Sequence, residues 1–195
     1  MKRYLKNRKI LEESYAYSKS MEHDACGVGL IASTEGKKSR KVVEYGINAL
    51  KAVFHRGAVD ADGKTGDGAG IHLEIPSNFF AEKIELTGHK HDGAEICIGM
   101  IFLPRNNYEA QENARTLVES ELTKSNFSIY GWRQVPVNTK VLGEKAGFTR
   151  PEITQVLFKN NNKSLVGKEL ERKLYESRRK IEKEAIKNAL EGFYI

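Results

Sequence analysis

Cysteine is scarce in this chain: 195 residues carry two, Cys26 and Cys97, far apart and without a CxxC pair. That excludes a disulfide framework and a cysteine-spaced zinc site, and it points to a reducing compartment, the cytoplasm by default. Four prolines and 17 glycines without a repeating triplet exclude collagen-like and low-complexity classes. No apolar run reaches the roughly 18 residues that a membrane-spanning helix takes. No apolar stretch follows the basic N-terminus, which excludes a secretory signal. Charge of one sign is also thin, at 32 Lys and Arg against 26 Asp and Glu, a formal +6. A nucleic-acid binder would concentrate its excess in one stripe with interleaved aromatics. Here the one dense cluster is Lys2, Arg3, Lys6, Arg8 and Lys9, read as a solvated tail, so neither a nucleic acid nor a membrane is an expected partner.

What is present is enough for one good core. The hydrophobic fraction is 39%, with eight Phe, eight Tyr and one Trp, too much for a disordered chain. Residues 1–25 are polar, of mixed charge and without period. Composition changes abruptly at Cys26, and Gly27–Ser33 (GVGLIAS) reads as a short buried strand. Lys41–Phe54 reads as a helix with Val43, Ile47, Leu50 and Phe54 on one face. Gly68–Ile75, Ala94–Leu103, Trp132–Val137 and Ile153–Phe158 read as strands, and Pro76-Ser77 opens a short helix through Phe79 and Phe80. Asn107–Ser125 is a helix with Ala110, Ala114, Leu117, Val118 and Leu122 inward. Lys168–Leu190 is a long charged helix striped by Leu170, Leu174, Ile181 and Ala185, with Glu169–Lys173 and Glu176–Lys180 as i,i+4 pairs. Gly192–Ile195 starts another apolar strand, and the chain is expected to be a piece of a longer one. Strands that do not alternate strictly with helices favour α+β, or sheets faced by helices, over a doubly wound fold.

Several motifs carry no chemistry. GVGLIA at Gly27–Ala32 matches a dinucleotide pattern, but polar residues precede it and a strand, not a helix, follows. Gly63-Lys64-Thr65 imitates the end of a P-loop, yet Ala58 stands where the first glycine belongs, and Asp60, Asp62 and Asp67 would repel a triphosphate. His89-x-His91-Asp92 lies in a polar loop without further ligands and reads as solvated, so no metal is expected. Cys97, between Ile96 and Ile98, reads as a small buried hydrophobe.

Two segments leave alternatives open. Cys26 is either a packing residue at a strand edge or, with the leader removed, the first residue of the mature chain. In the second case its own α-amino group is the adjacent base that makes the thiolate, and the small Gly27 lets a substrate approach the sulfur. His55–Gly70 (HRGAVDADGKTGDGAG) is either a tight turn or a loop that brings backbone close to a ligand. His55 and Arg56 either act in catalysis or lock that loop by hydrogen bonds, and locking is the preferred reading.

Taken together, HDACGVGLIAS, the helix ending in HRGA, TGDGAGI with IPSNFF, IGMIFLPR, GWRQVPVN, PEITQVLF, ERKLYESRRKIE and FYI resemble, in order, the start of the glutamate synthase large-subunit family. The likeness covers nearly everything from Asp24 to Ile195. It implies a class II glutamine amidotransferase domain over residues 26–195, an N-terminal-nucleophile αββα sandwich of antiparallel sheets, behind a propeptide-like leader over residues 1–25. It further implies L-glutamine as substrate and Cys26 as nucleophile, supported by Gly27, His55, Arg56, Gly57, Thr65, Gly66, Asp67 and Gly68. The ammonia would go to synthase domains of the same chain that carry FMN and an iron–sulfur cluster, with electrons from NADPH or ferredoxin, or through a small electron-transfer subunit. No cofactor is expected in this segment. The oxyanion-hole and glutamine-clamping residues are expected beyond Ile195, so the isolated piece is expected to be inactive and poorly stable. The rival readings are a class II amidotransferase with another acceptor and a catalytically silent binding or assembly fragment.

Overall fold

The computed structural model describes residues 2–14, 18 and 27–195. They fall into two units, Met1–Ala58 with Gly66–Ile71, and Val59–Thr65 with His72–Ile195.

The first unit is helical where it is regular. Helix α1 spans Lys2–Glu13, where the sequence reading expected a tail without period. The segment has no Gly, Pro or capping breaker, and its long straight-chain residues favour helix. Arg8–Glu12 and Lys9–Glu13 pair at i,i+4, at 3.3 and 3.7 Å. Helix α2, Arg40–Ala52, starts where Ser39 accepts the amide of Lys41. A 3-10 turn, Phe54–Arg56, follows. Val43, Ile47 and Leu50 are half-buried, but Phe54 is 78% exposed, because the turn carries it off the helix face. The strand expected at Gly27–Ser33 is not formed. Val28 and Leu30 stand 94% and 89% exposed, and without a neighbouring strand an extended segment has no ladder to hold it. Gly68–Ile75 likewise carries no strand.

The second unit is built on an antiparallel sheet of β1 (Ile96–Leu103), β2 (Phe127–Gln134) and β3 (Glu152–Asn160), in the order β1-β3-β2. Helices α3 (Ser77–Glu85), α4 (Tyr108–Lys124), α5 (Glu144–Thr149) and α6 (Gly167–Lys187) complete it. This is an α+β arrangement. Period-2 alternation sorts the strand residues. Cys97, Ile101, Leu103, Phe127, Val156 and Phe158 face α4 and α6, meeting Ala114, Val118, Leu122, Leu170 and Ile181. On the opposite side Ile96, Tyr130 and Leu157 meet Phe80 and Ile84 of α3. Each aliphatic side chain buried fully in these clusters stabilises by about 1.5–3 kcal/mol.

β2 starts at Phe127, five residues before the expected strand at Trp132. Its ladder breaks at one bulge, where Ile129 pairs with Phe158 and Gly131 with Leu157, so Tyr130 is the extra residue. Gly131 takes φ 146, and any Cβ there would run into Thr87. Thr87 fills that space and donates its hydroxyl to the Tyr130 carbonyl at 2.8 Å. The pairs expected on α6 are replaced by Arg172–Glu176 at 2.9 Å and Arg178–Glu182 at 3.4 Å. Lys173 instead leans inward over the Phe127 ring, 5.0 Å from its centroid. Gly192–Ile195 makes a single antiparallel bridge, Tyr194 with Phe102, through bonds of 2.8 and 3.0 Å.

Candidate functional site

The glycine- and aspartate-rich loop is locked by its own carboxylates. In the second unit, the Asp62 carboxylate accepts the amides of Lys64 and Thr65 at 2.9 and 2.6 Å and the Thr65 hydroxyl at 2.5 Å. The Asp60 amide donates to the Thr65 carbonyl at 2.6 Å and closes the turn. These amides are the groups that a P-loop would turn towards phosphate, and here a side-chain carboxylate already holds them. The bonds from Thr65 and Lys64 keep the Asp62 carboxyl well below its ordinary value of 3.8.

The same turn seats against the start of α5. Lys145 donates to Asp60 at 2.6 Å, and that bond, with the Ala61 amide, lowers the Asp60 carboxyl too. The Thr65 hydroxyl accepts the amide of Ala146 at 3.5 Å. Gly143, buried at the N-cap of α5, lies so close that an added Cβ would collide with Thr65 and Asp62. The sequence reading named Thr65 and did not name the Gly143 and Lys145 that pack on its turn. The pairing spans 85 positions, and nothing in the local pattern announces it.

In the first unit, Asp67 ties the loop ends together. Its carboxylate accepts the Ala58 amide at 3.1 Å, and its amide donates to the Ala58 carbonyl at 3.2 Å. Gly57 precedes this pair in extended conformation, and Gly66 and Gly68 flank it, all exposed. His55 donates from Nδ1 to the Ala52 carbonyl at 3.2 Å. It therefore caps the end of α2, whereas the sequence reading had it locking the loop. The backbone of Arg56 lies in the same turn, and Gly27 is exposed. Cys26 and the leader residues before it from Lys19 onward lie outside the described residues.

The second histidine-bearing segment is more structured than its sequence suggested. Asp92 accepts the Tyr130 hydroxyl at 2.8 Å and pairs with Lys159. The Lys159 bond first, and the Tyr130 bond second, hold its carboxyl far below the usual carboxylate range. His91 donates from Nε2 to the Ala94 carbonyl at 2.9 Å, and the rings of His89 and His91 stand edge-on to Tyr130, at 6.4 and 6.3 Å. This corner fastens the 87–95 connection to the sheet. Among the described residues no group of three His, Cys, Asp or Glu is placed to hold a metal ion. No helix of the described residues is long and apolar enough to cross a membrane. Cys97 is buried, and burial pushes its thiol up to about 12.

Comparison with known proteins gives the family of the chain. A glutamate synthase [NADPH] large chain of Azospirillum brasilense is 50% identical over 189 residues, covering 97% of this chain and 12% of the relative. A ferredoxin-dependent glutamate synthase 2 of Synechocystis sp. is 39% identical over 175 residues, 89% of this chain and 11% of the relative. A ferredoxin-dependent glutamate synthase of Pyropia yezoensis is 36% identical over 176 residues, 90% and 11%. The chain thus spans roughly an eighth of the length of these relatives. The profile of the family described as "Glutamine amidotransferases class-II" matches residues 26–195. With all but the first 25 residues inside that match, the chain belongs to the class-II glutamine amidotransferases.

Proposed function

We propose that this chain is the glutamine-hydrolysing domain of a glutamate synthase, with Cys26 as its nucleophile. The observation that carries the reading is that the family match starts at residue 26, which is Cys26 itself. Residues 1–25 are then a leader whose removal makes Cys26 the first residue. Its α-amino group, ordinarily titrating at about 7.7–8.0, takes the thiol proton. The thiolate adds to the side-chain carbonyl carbon of L-glutamine. Collapse of the adduct breaks the C–N bond, and ammonia leaves with the proton held by the amino group. Water then adds to the γ-glutamyl thioester, the C–S bond breaks, and glutamate is released with the thiol restored.

Gly27, His55, Arg56, Gly57, Thr65, Gly66, Asp67 and Gly68 form the supporting loops in this reading. The Ala58–Asp67 pair of hydrogen bonds supports it, since it fixes a glycine-lined backbone that a substrate can approach closely. The finer fold is the αββα sandwich of N-terminal-nucleophile enzymes, for which the β1-β3-β2 sheet and its α4–α6 layer would supply one half. The ammonia would aminate 2-oxoglutarate in regions that the relatives have and this chain does not span. FMN, an iron–sulfur cluster and NADPH or ferredoxin, with or without a small electron-transfer subunit, belong to those regions. Two cysteines, one of them buried, do not fit the several thiolates that a cluster takes, and no step here runs through one. The cytoplasm is the proposed location.

The test is intact mass after incubation with an electrophilic glutamine analogue. In a chain extended past Ile195, loss of residues 1–25 with one adduct on Cys26 is expected, the 195-residue piece taking little label, and Cys97 stays unlabelled because it is buried and protonated. A chain that keeps its leader and takes no label, in both the 195-residue form and one extended past Ile195, overturns the proposal.

A further inference from the structure

A groove of about 320 Å³ in the second unit lies between α4 and the ends of β2 and β3. It is lined by Glu112, Arg115 and Glu119 from α4, Trp132 and Gln134 from β2, and Thr154 from β3. We propose that this groove binds a free α-amino acid as its zwitterion. The carboxylate lies towards Arg115 and the Thr154 hydroxyl, and the ammonium towards Glu112 and Glu119.

The first observation is Thr154. Only 2% of it is exposed, and among the described residues its hydroxyl has no hydrogen-bond partner. A buried hydroxyl left unpaired costs free energy; the inward neighbours Val156 and Phe158 are apolar, and the inward Asn160 has its amide bonded to the Asn162 and Leu165 carbonyls. A valine would fill the same volume without that cost. Thr154 is among the residues that line the groove, so a ligand seated there is a candidate partner for that hydroxyl.

The second observation is the charge of the lining. Arg115 and Glu112 are paired across one turn of α4, and Glu119 accepts the Trp132 indole N–H at 2.6 Å. An anion alone would face two carboxylates, and a cation alone would face Arg115; Arg133 turns its guanidinium away, to Gln155 and the Phe79 ring. A ligand with both charges a few ångströms apart satisfies each end, and an α-amino acid is the smallest molecule of that kind. A nucleobase is disfavoured because the Arg115 guanidinium already lies over the Trp132 ring, 5.9 Å from its centroid. The groove is also independent of the nucleophile, since none of its lining residues belongs to the loops assigned to glutamine hydrolysis.

Trp132 is the only tryptophan of the chain, so its emission reports this groove alone. An ammonium arriving at Glu119 competes for the carboxylate that holds the indole N–H, which changes that emission. The 195-residue chain carrying Cys26→Ala, so that glutamine is not consumed, is titrated with glycine, L-glutamate and L-glutamine, and with acetate and methylammonium as half-ligands. A saturable change with the amino acids and none of comparable strength with either half-ligand is expected. Thr154→Val should weaken binding by at least about tenfold, and Thr154→Ser, which keeps the hydroxyl, should retain it. No saturable response, an equal response to acetate, or unchanged binding by Thr154→Val overturns the proposal. Failure here leaves the Cys26 labelling result untouched, and the converse holds.

Discussion

Replacing Gly143 by alanine should loosen the aspartate loop, and the size of the effect follows from the packing. Gly143 is buried at the N-cap of α5 with φ −70 and ψ 167, a conformation that alanine adopts without strain. The penalty is therefore steric. The new methyl would meet the Asp62 carboxylate, the Thr65 hydroxyl and the Thr65 backbone nitrogen. A carboxylate can swing aside, but the backbone nitrogen moves only if the turn moves. The turn then gives up Lys145–Asp60 at 2.6 Å and Ala146–Thr65 at 3.5 Å. These contacts are solvent-exposed or partly so, and each contributes little alone. The main cost is overpacking, about 1–3 kcal/mol. That corresponds to a fall in Tm of roughly 2–10 °C for a chain of this size. Gly147, four residues further inside α5, has nothing within 4 Å of an added Cβ. Gly147→Ala should thus stabilise by about 0.5–1 kcal/mol through helix propensity. Thermal and urea unfolding of the two variants beside the parent give the answer. The reasoning is refuted if Gly143→Ala melts with the parent or above it, or if Gly147→Ala proves the more damaging change.

Two further outcomes follow from the same structure. Ala189 ends α6 with φ 51, the left-handed cap position that glycine usually occupies, and the amide of Leu190 closes the cap on the Ala185 carbonyl at 3.0 Å. Ala189→Gly should raise stability by about 0.5–1 kcal/mol in urea unfolding, and a lower midpoint would contradict the cap assignment. Asp60, Asp62 and Asp92 all have folded values lowered from 3.8. Their contribution is thus complete above that value and is lost as the pH falls through the folded values. The urea midpoint should hold between pH 7 and 5 and drop steadily below about pH 4. Asp92→Asn should shallow the drop, and an acid limb identical to the parent's would refute the role given to Lys159 and Tyr130.

Much of the second unit could be read from local pattern. Helical spacing in Ala114, Val118 and Leu122, and in Leu170, Ile181 and Ala185, needs only a 3.6-residue period and one apolar face, and the burial follows it. β1 and β3 were equally legible, because an apolar run closed by Pro104 or by the polar Asn160–Asn162 stretch leaves little else to form. The first unit shows the limit of that logic. Gly27–Ser33 has a strand's composition, but a strand is a pairing, and pairing depends on a neighbour that composition does not specify.

What the sequence determined by itself is the chemistry it can offer: a cysteine after a polar leader, a loop of glycines and aspartates, and a family likeness over nearly everything from Asp24 to Ile195. Those are properties of residue types and their order. The tertiary structure decided which of these groups spend their hydrogen bonds on each other. Asp62 turns its carboxylate onto its own loop, Lys145 reaches Asp60 across 85 positions, β3 inserts between β1 and β2, and Thr154 is buried under α4 with its hydroxyl unspent. The Lys145–Asp60 bond and the strand order join distant segments, and distance along the chain carries no energy until folding closes it.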